Sequence, residues 1–167
     1  MALQSGLSVA INSALSAAAG IGVGSVPIAS AYGFQWPDGT ALGFADRLYQ
    51  IKPTIAASGT LDVDLAGTLT DPFGAALTFA RIRAFYLKAN ASNTNNVVIG
   101  NGTNPWLGWF GAAAHTEIVQ PNGLSLHVAP TTAGWPVTAA TADILHFANS
   151  GAGTGVTFEL ILIGASA

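Results

Sequence analysis

The stretch that most restricts this chain is Ala142–Gly164, two apolar runs separated by a segment without a single large side chain. Asp143–Ala148 and Val156–Ile163 are rich in branched and aromatic residues, and Asn149–Gly155 between them holds three glycines. That composition predicts two β-strands joined by a turn. In the second strand Val156, Phe158, Leu160 and Leu162 share one face, opposite Thr157, Glu159, Ile161 and Ile163. Both faces become apolar toward the strand's end, as expected where a strand is covered on both sides or packs against a neighbouring subunit. The stretch reads as a hairpin that says much about fold and little about activity.

Similar segments recur along the chain. Leu48, Gln50 and Lys52 alternate with Tyr49, Ile51 and Pro53, a strand that its proline places at a sheet edge or at its own end. In Thr60–Leu65, Leu61, Val63 and Leu65 face away from Asp62 and Asp64, the pattern of a half-buried strand. Ala80–Ala89 follows, with Arg81 and Arg83 on one face, and Val97–Asn101 returns after the polar loop Asn90–Asn96. This second strand–turn–strand unit matches the one at Ala142–Gly164, Phe85–Asn90 being similar to Leu145–Asn149, so the two read as equivalent hairpins in two sheets. Thr116–Val119 and Leu124–Ala129 flank the turn sequence Pro121-Asn-Gly123, a loop at 130–136 comes next, and Val137–Thr141 adds a further short strand. Trp36-Pro-Asp-Gly39 is another turn. Asp71-Pro72 carries the signals of a helix start, which predicts one or two helical turns there. About eight short strands at spacings of roughly ten residues predict an all-β, antiparallel β-sandwich or barrel.

Charge is the next constraint. Of 167 residues, 50% are hydrophobic and only 8% charged, against roughly 25% charged in an ordinary soluble domain. So little charge leaves few means of keeping a monomer's surface free of apolar patches, which points to an obligate assembly. Eight acidic and five basic residues leave no electrostatic footprint for nucleic acid and no polybasic membrane patch. The first charged residue is Asp38. Before it, Leu3, Leu7, Ile11 and Leu15 recur at every fourth position, so a short apolar-faced helix is expected over Leu3–Ala19, broken by Gly20, Gly22 and Gly24, with Pro27 opposing a restart. Serines, glycines and the absence of basic flanks disfavour a membrane span in this run, and no positive segment precedes it as in a secretory signal. Residues 1–45 are therefore read as an extended or partly helical arm lying on a neighbouring subunit, and 46–167 as the sandwich domain.

Catalytic signatures are sparse. There is no cysteine, and His115, His127 and His146 have no metal-ligand spacing, so neither a metal nor another cofactor is expected. Asp62 and Asp64 fit a solvated strand face better than a cation site. Glu117 and Glu159 are the only glutamates, and nothing in the sequence pairs either with an aspartate across a cleft. The runs Gly20–Gly24 and Gly151–Gly155 lack the Lys-Ser/Thr ending of a phosphate loop. No catalytic residue is assigned and the chain is not read as an enzyme. Trp106, Trp109, Phe110 and Trp135 lie in loops, where such rings serve as anchors between subunits, as core plugs, or as stacking platforms for sugars.

The runs Ala45–Tyr49, Ala56–Gly67, Leu69–Gly74 and Thr78–Arg83, with the ending Thr154–Ala167, resemble small virion structural proteins of tailed bacteriophages. The resemblance covers about residues 45–167 and carries no catalytic motif. It implies a jelly-roll-like sandwich that decorates or cements a capsid from outside, as a homotrimer bound to a major capsid protein, with no nucleic acid or membrane partner. The location implied is the capsid surface of a virion. A carbohydrate-binding module on the virion surface or tail is the alternative. Leu3, Leu7, Ile11, Leu15, Trp106, Trp109, Phe110 and Trp135 are the expected interface residues.

Overall fold

The structure is a computed structural model that describes residues 2–67, 69–129 and 131–167. All regular structure among them is β, and it falls into a sandwich and a projecting ribbon. The ribbon is β1 (Ser5–Ala19) with β2 (Gly22–Trp36). The sandwich strands are β3 (Arg47–Ile51), β4 (Thr54–Ile55), β5 (Thr60–Asp64), β8 (Arg81–Ala89), β9 (Val97–Gly100), β10 (Thr116–Val119), β11 (Leu124–Val128), β12 (Trp135–Pro136), β13 (Ile144–Asn149) and β14 (Val156–Ala165). A small hairpin, β6 (Leu69–Thr70) with β7 (Ala76–Leu77), interrupts them.

One sheet runs β11-β8-β14-β3, with β12 and β4 added at its margins, and the other runs β10-β9-β13-β5. Every pairing in both is antiparallel. The chain winds between the sheets so that its last strand, β14, lies beside β3, the first sandwich strand. This is the double Greek-key winding of a jelly roll. Period-two alternation builds the core: Phe85 and Leu87 on β8, Leu145 and Phe147 on β13, and Phe158, Leu160 and Leu162 on β14 point inward and are buried. As the sequence predicts, β3 with its Pro53 exit is an edge strand, and Val63 on β5 is buried while Asp62 and Asp64 face water.

The two expected hairpins are not hairpins. β8 and β9 lie in different sheets, as do β13 and β14, and as do β10 and β11. Asn90–Asn96 and Asn149–Gly155 are arches across the sandwich, each sending one strand to each sheet. They lie side by side at one end and are pinned together: Asn95 Nδ2 donates to the Thr154 carbonyl at 3.1 Å, and Ser150 Oγ accepts from the Asn96 amide at 2.8 Å. The Asn93 side chain both donates to and accepts from the backbone of Thr157. Polar loop composition here reflects arch-to-arch bonding as well as solvation.

Four local expectations are also corrected. The helix over Leu3–Ala19 is strand β1 instead, because a repeat of four is also a multiple of the strand period of two. Val9 fills the intervening position of the same face, and every residue of β1 pairs with β2. At Asp71 no helical turn forms. Its Oδ1 accepts from the amides of Phe73 at 2.8 Å and Ala75 at 2.9 Å, closing the β6–β7 turn with the chemistry that a helix cap would use. The loop at 130–136, whose Pro130 lies outside the described residues, contains β12, which pairs Trp135 with Ile82. Val137–Thr141 forms no strand, only a bridge from Thr138 to Ala142.

Arg81 and Arg83 do not share a solvated face. The register opposes Ile163 to Ala84 but Gly164 to Ile82, leaving Arg83 as an extra residue in β8. This bulge re-aims its side chain. Arg83 is buried, and its guanidinium donates to the carbonyls of Phe44 at 3.0 Å, Thr131 and Thr132. Burial, and then the neighbouring Arg81, pull its pKa below the usual arginine value. Arg83 thus ties the segment leaving the ribbon to the loop before β12.

Candidate functional site

Two surfaces stand out, and both lie toward the end of the sandwich opposite the arches. The first is the aromatic end. Trp106, Trp109, Phe110 and Trp135, scattered in sequence, meet with Phe85 and His127 above the core. Trp109 is the hub: its ring stacks on His127 at a centroid distance of 3.9 Å with planes 10° apart, and Trp106 meets it edge-on at 5.6 Å. One carboxylate oxygen orients the stack. Glu117 Oε2 accepts from Trp109 Nε1 and from His127 Nε2, both at 2.9 Å.

Glu117 belongs to β10 and His127 to β11, so the pair bridges the sandwich at its β10–β11 side. A hairpin about Pro121-Asn-Gly123 would have set these residues beside each other within one sheet. The alternation that points Glu117 inward with Val119 was the available signal for this pair. Trp106 is 2% exposed and its Nε1 donates to the Pro136 carbonyl at 3.0 Å. It is therefore a core plug within its own chain, with no open face for a neighbour or a sugar. Trp109, Phe110 and Trp135 are half-buried.

The second surface is the ribbon. Its register sets Leu7 opposite Phe34, Val9 opposite Tyr32, Ile11 opposite Ser30, Ser13 opposite Ile28 and Leu15 opposite Val26, all on one face. The other face carries Ser8, Ala10, Asn12, Ala14 and Ser16 against Gly33, Ala31, Ala29, Pro27 and Ser25. The apolar face is open: Ile11 is 64% exposed, Leu15 75%, and the tip residue Ile21 fully so. Leu3 and Leu7, nearer the root, are half-buried. At the root Tyr32, Phe34 and Trp36 follow one another along β2, with ring centroids 4.6 and 5.9 Å apart. A groove of 570 Å³ adjoins it, lined by Leu3, Leu48, Phe73 and Leu77 among others. At the tip, Gly20 has φ +59°, the left-handed conformation that a two-residue hairpin loop requires.

The outer face of the larger sheet is a further apolar patch. Leu48, Ile163 and Ala84 lie abreast, as do Gln50, Ile161, Tyr86 and Leu126 one step along. The last strand of the sandwich thus has an apolar outer face, as its sequence predicts, and the ribbon's strands pair with neither sheet. Among the described residues no three His, Asp or Glu side chains converge as a metal site would need. His146 Nδ1 and Asp62 Oδ1 meet at 2.5 Å as a pair on the outer face of the smaller sheet. No helix among the described residues is long and apolar enough to cross a membrane.

No protein-family model matches the chain, and neither a curated protein nor a solved structure matches it.

Proposed function

We propose that this chain is a virion structural protein, a cement or decoration protein that binds the outside of a phage capsid and works by burying apolar surface between subunits. The observation that carries the reading is the ribbon. It is an uncharged hairpin with one apolar face open to water, fixed by Arg83 to a jelly-roll domain. A two-stranded hairpin is marginal in water at best, and a large exposed apolar face marks a contact site. The outer face of the larger sheet offers a second contact, suited to self-association as a homotrimer, and the ribbon extends the reach of each copy by roughly 50 Å at the rise of a β-strand. The action is mechanical and no catalytic residue is assigned: apolar burial at roughly 25 cal/mol per Å², repeated over many copies, opposes rupture of the shell once association costs are met.

The test is co-sedimentation with phage shells that lack the protein, followed by thermal rupture of the loaded particles. The intact chain is expected to pellet with the shells and raise their rupture temperature, and a chain without residues 4–36 is expected to do neither. An intact chain that stays in the supernatant, or that leaves rupture unchanged, overturns the reading.

A further inference from the structure

We infer that the apolar face of the ribbon is self-complementary, and that its occupant is the ribbon of a second copy, lying face to face and antiparallel about a two-fold axis. The inference goes beyond the reading above, which gives self-association to the outer face of the larger sheet, and rests on it only for the ribbon being a contact element. It names one specific contact, a clasp between two copies that is separate from any contact between sandwiches.

The argument is one of register. The fifteen cross-strand pairs run from Ser5–Trp36 at the root to Ala19–Gly22 at the tip, and Asn12–Ala29 is the middle pair. A two-fold axis through that level, lying between two stacked ribbons, sets each β1 over the other β1 and each β2 over the other β2, running in opposite directions. A residue n of β1 then faces residue 24−n of its partner, a rule that follows from reflection of the register about position 12. Ile11 falls on Ser13 of the second copy, and Ser13 on its Ile11. On β2 the same operation sets Ile28 on Ser30 and Ser30 on Ile28. Toward the ends, the largest pair of the face, Leu7–Phe34, falls on its smallest, Ala17–Gly24.

Large side chains thus meet small ones at the centre and at both ends. Between them the medium-sized Val9 meets Leu15, and Tyr32 meets Val26. An isologous contact requires this reciprocity, residue i on j and j on i, and packed sheets interdigitate in this way across about 10 Å. A parallel pairing about a two-fold axis along the ribbons would instead lay each β1 over the other β2, setting Leu7 on Phe34 and Ala17 on Gly24 of the second copy, crowding one end and leaving voids at the other.

Size and charge agree with the same occupant. A ribbon of this length, ~50 Å by ~10 Å, offers roughly 500 Å² on one face, so the pair buries close to the ~1,000 Å² of a specific interface. There is no charged side chain in residues 1–37. A charged partner would find no counter-charge on this face, whereas a second copy brings none to desolvate.

The experiment uses the full chain without shells, so its outcome is independent of shell binding. The protein has no cysteine, so Ile21→Cys places a single spin label at the ribbon tip. Pulsed electron resonance is expected to show tips ~55 Å apart, twice the distance from the middle pair to the loop tip at the rise of a strand, and a second label at Asn12→Cys to show centres within ~25 Å. Tips within ~20 Å, or no intermolecular distance at all, overturn the clasp. Antiparallel edge-to-edge strand pairing gives similar tip distances, so sedimentation of swap variants separates the two. Ile11→Ser and Ser13→Ile are each expected to weaken self-association by at least about tenfold, through a void or a clash, and the two together to restore it to within about threefold. Failure of the double variant to recover, with the single variants impaired, also overturns the clasp. Shell binding that persists after either overturning result leaves the cement reading standing.

Discussion

The sandwich and the ribbon are built from the same material, short-period alternation of apolar and small residues with hardly any charge, yet they end in opposite situations. On β14 the residues Phe158, Leu160 and Leu162 are sealed against the facing sheet. On β1 the equivalent alternation, Val9, Ile11 and Leu15, meets water. The difference is partnership. The sandwich supplies two sheets whose inner faces cover each other, whereas the ribbon is a single layer. An apolar face without a second layer is incomplete in one chain, so the ribbon carries the stronger implication of an external contact.

The contrast is sharpest if both regions are truncated in the same way. Phe158→Ala is expected to cost the sandwich about 3–5 kcal/mol of unfolding free energy, since it removes a buried ring and leaves a cavity. Ile28→Ala on the ribbon is expected to change the monomer's urea midpoint hardly at all while weakening self-association. Denaturation read by tryptophan fluorescence, beside sedimentation at several concentrations, checks both. A ribbon variant that lowers monomer stability as much as the core variant breaks the contrast, because the ribbon face would then be covered within the chain.

Arg83→Ala comes next in expected size. It removes the charged donor from the carbonyls of Phe44, Thr131 and Thr132, the last two keeping the amides of Gly134 and Gly43, and a loss of roughly 3 kcal/mol is expected from charged hydrogen bonds removed from a buried site. Because these bonds lock the ribbon's exit to the sandwich, amide exchange is also expected to quicken in residues 37–46. Unchanged exchange there would mean that the exit is anchored elsewhere, for instance through the Asp46 carboxylate, which accepts from the Ser166 amide and hydroxyl, or the Gly43 amide on the Thr132 carbonyl.

The alternation that separates inner from outer residues was legible on β5 and β14, which bury Val63 and Phe158, Leu160 and Leu162 as their sequences nominate, but not on β8, where the bulge at Arg83 breaks it. Strand pairing was not. Asn90–Asn96 has the composition of a turn, and a turn between two apolar strands suits either a hairpin or an arch, since both leave the apolar faces covered. Which one forms depends on where the other strands lie, information held at the far end of the chain where β14 inserts between β3 and β8. The ribbon failed for a different reason: Leu3, Leu7, Ile11 and Leu15 satisfy two periods, and only Val9 and the cross-strand match to β2 decide between them. The aromatic end was half legible. Its tryptophans announce themselves, but the carboxylate that orients Trp109 and His127 arrives across the sandwich from another strand.

That carboxylate gives a third comparison, within the sandwich. Glu117→Gln is expected to keep an amide oxygen in the place of Oε2 but to remove its charge, weakening both bonds and lowering stability by about 1 kcal/mol. The Trp109–His127 stack is expected to loosen, which near-ultraviolet circular dichroism would detect. An unaltered spectrum would show that packing among Phe85, Trp106 and Trp135 alone fixes the ring.

The smallest effect is expected from the exposed pair on the outer face of the larger sheet. Lys52 Nζ donates to Glu159 Oε1 at 3.0 Å, and this bond, together with the charge of Lys52, holds the Glu159 carboxyl below its ordinary value, with Lys88 adding to the pull. A carboxyl depressed on folding contributes stability that is present above the ordinary carboxylate range and is lost as pH falls through the folded value. Both side chains are open to solvent, so screening leaves little of that contribution. Carbon-detected titration of Glu159 is expected to show the lowered pKa in the wild type and its return toward the ordinary value in Lys52→Ala, with the melting temperature almost unmoved at neutral pH. A clear drop in melting temperature that depends on protein concentration would carry a different meaning: the outer face around Glu159 would be buried between copies, and the face that β14 turns away from its own core would be a contact in its own right, as is proposed for the ribbon.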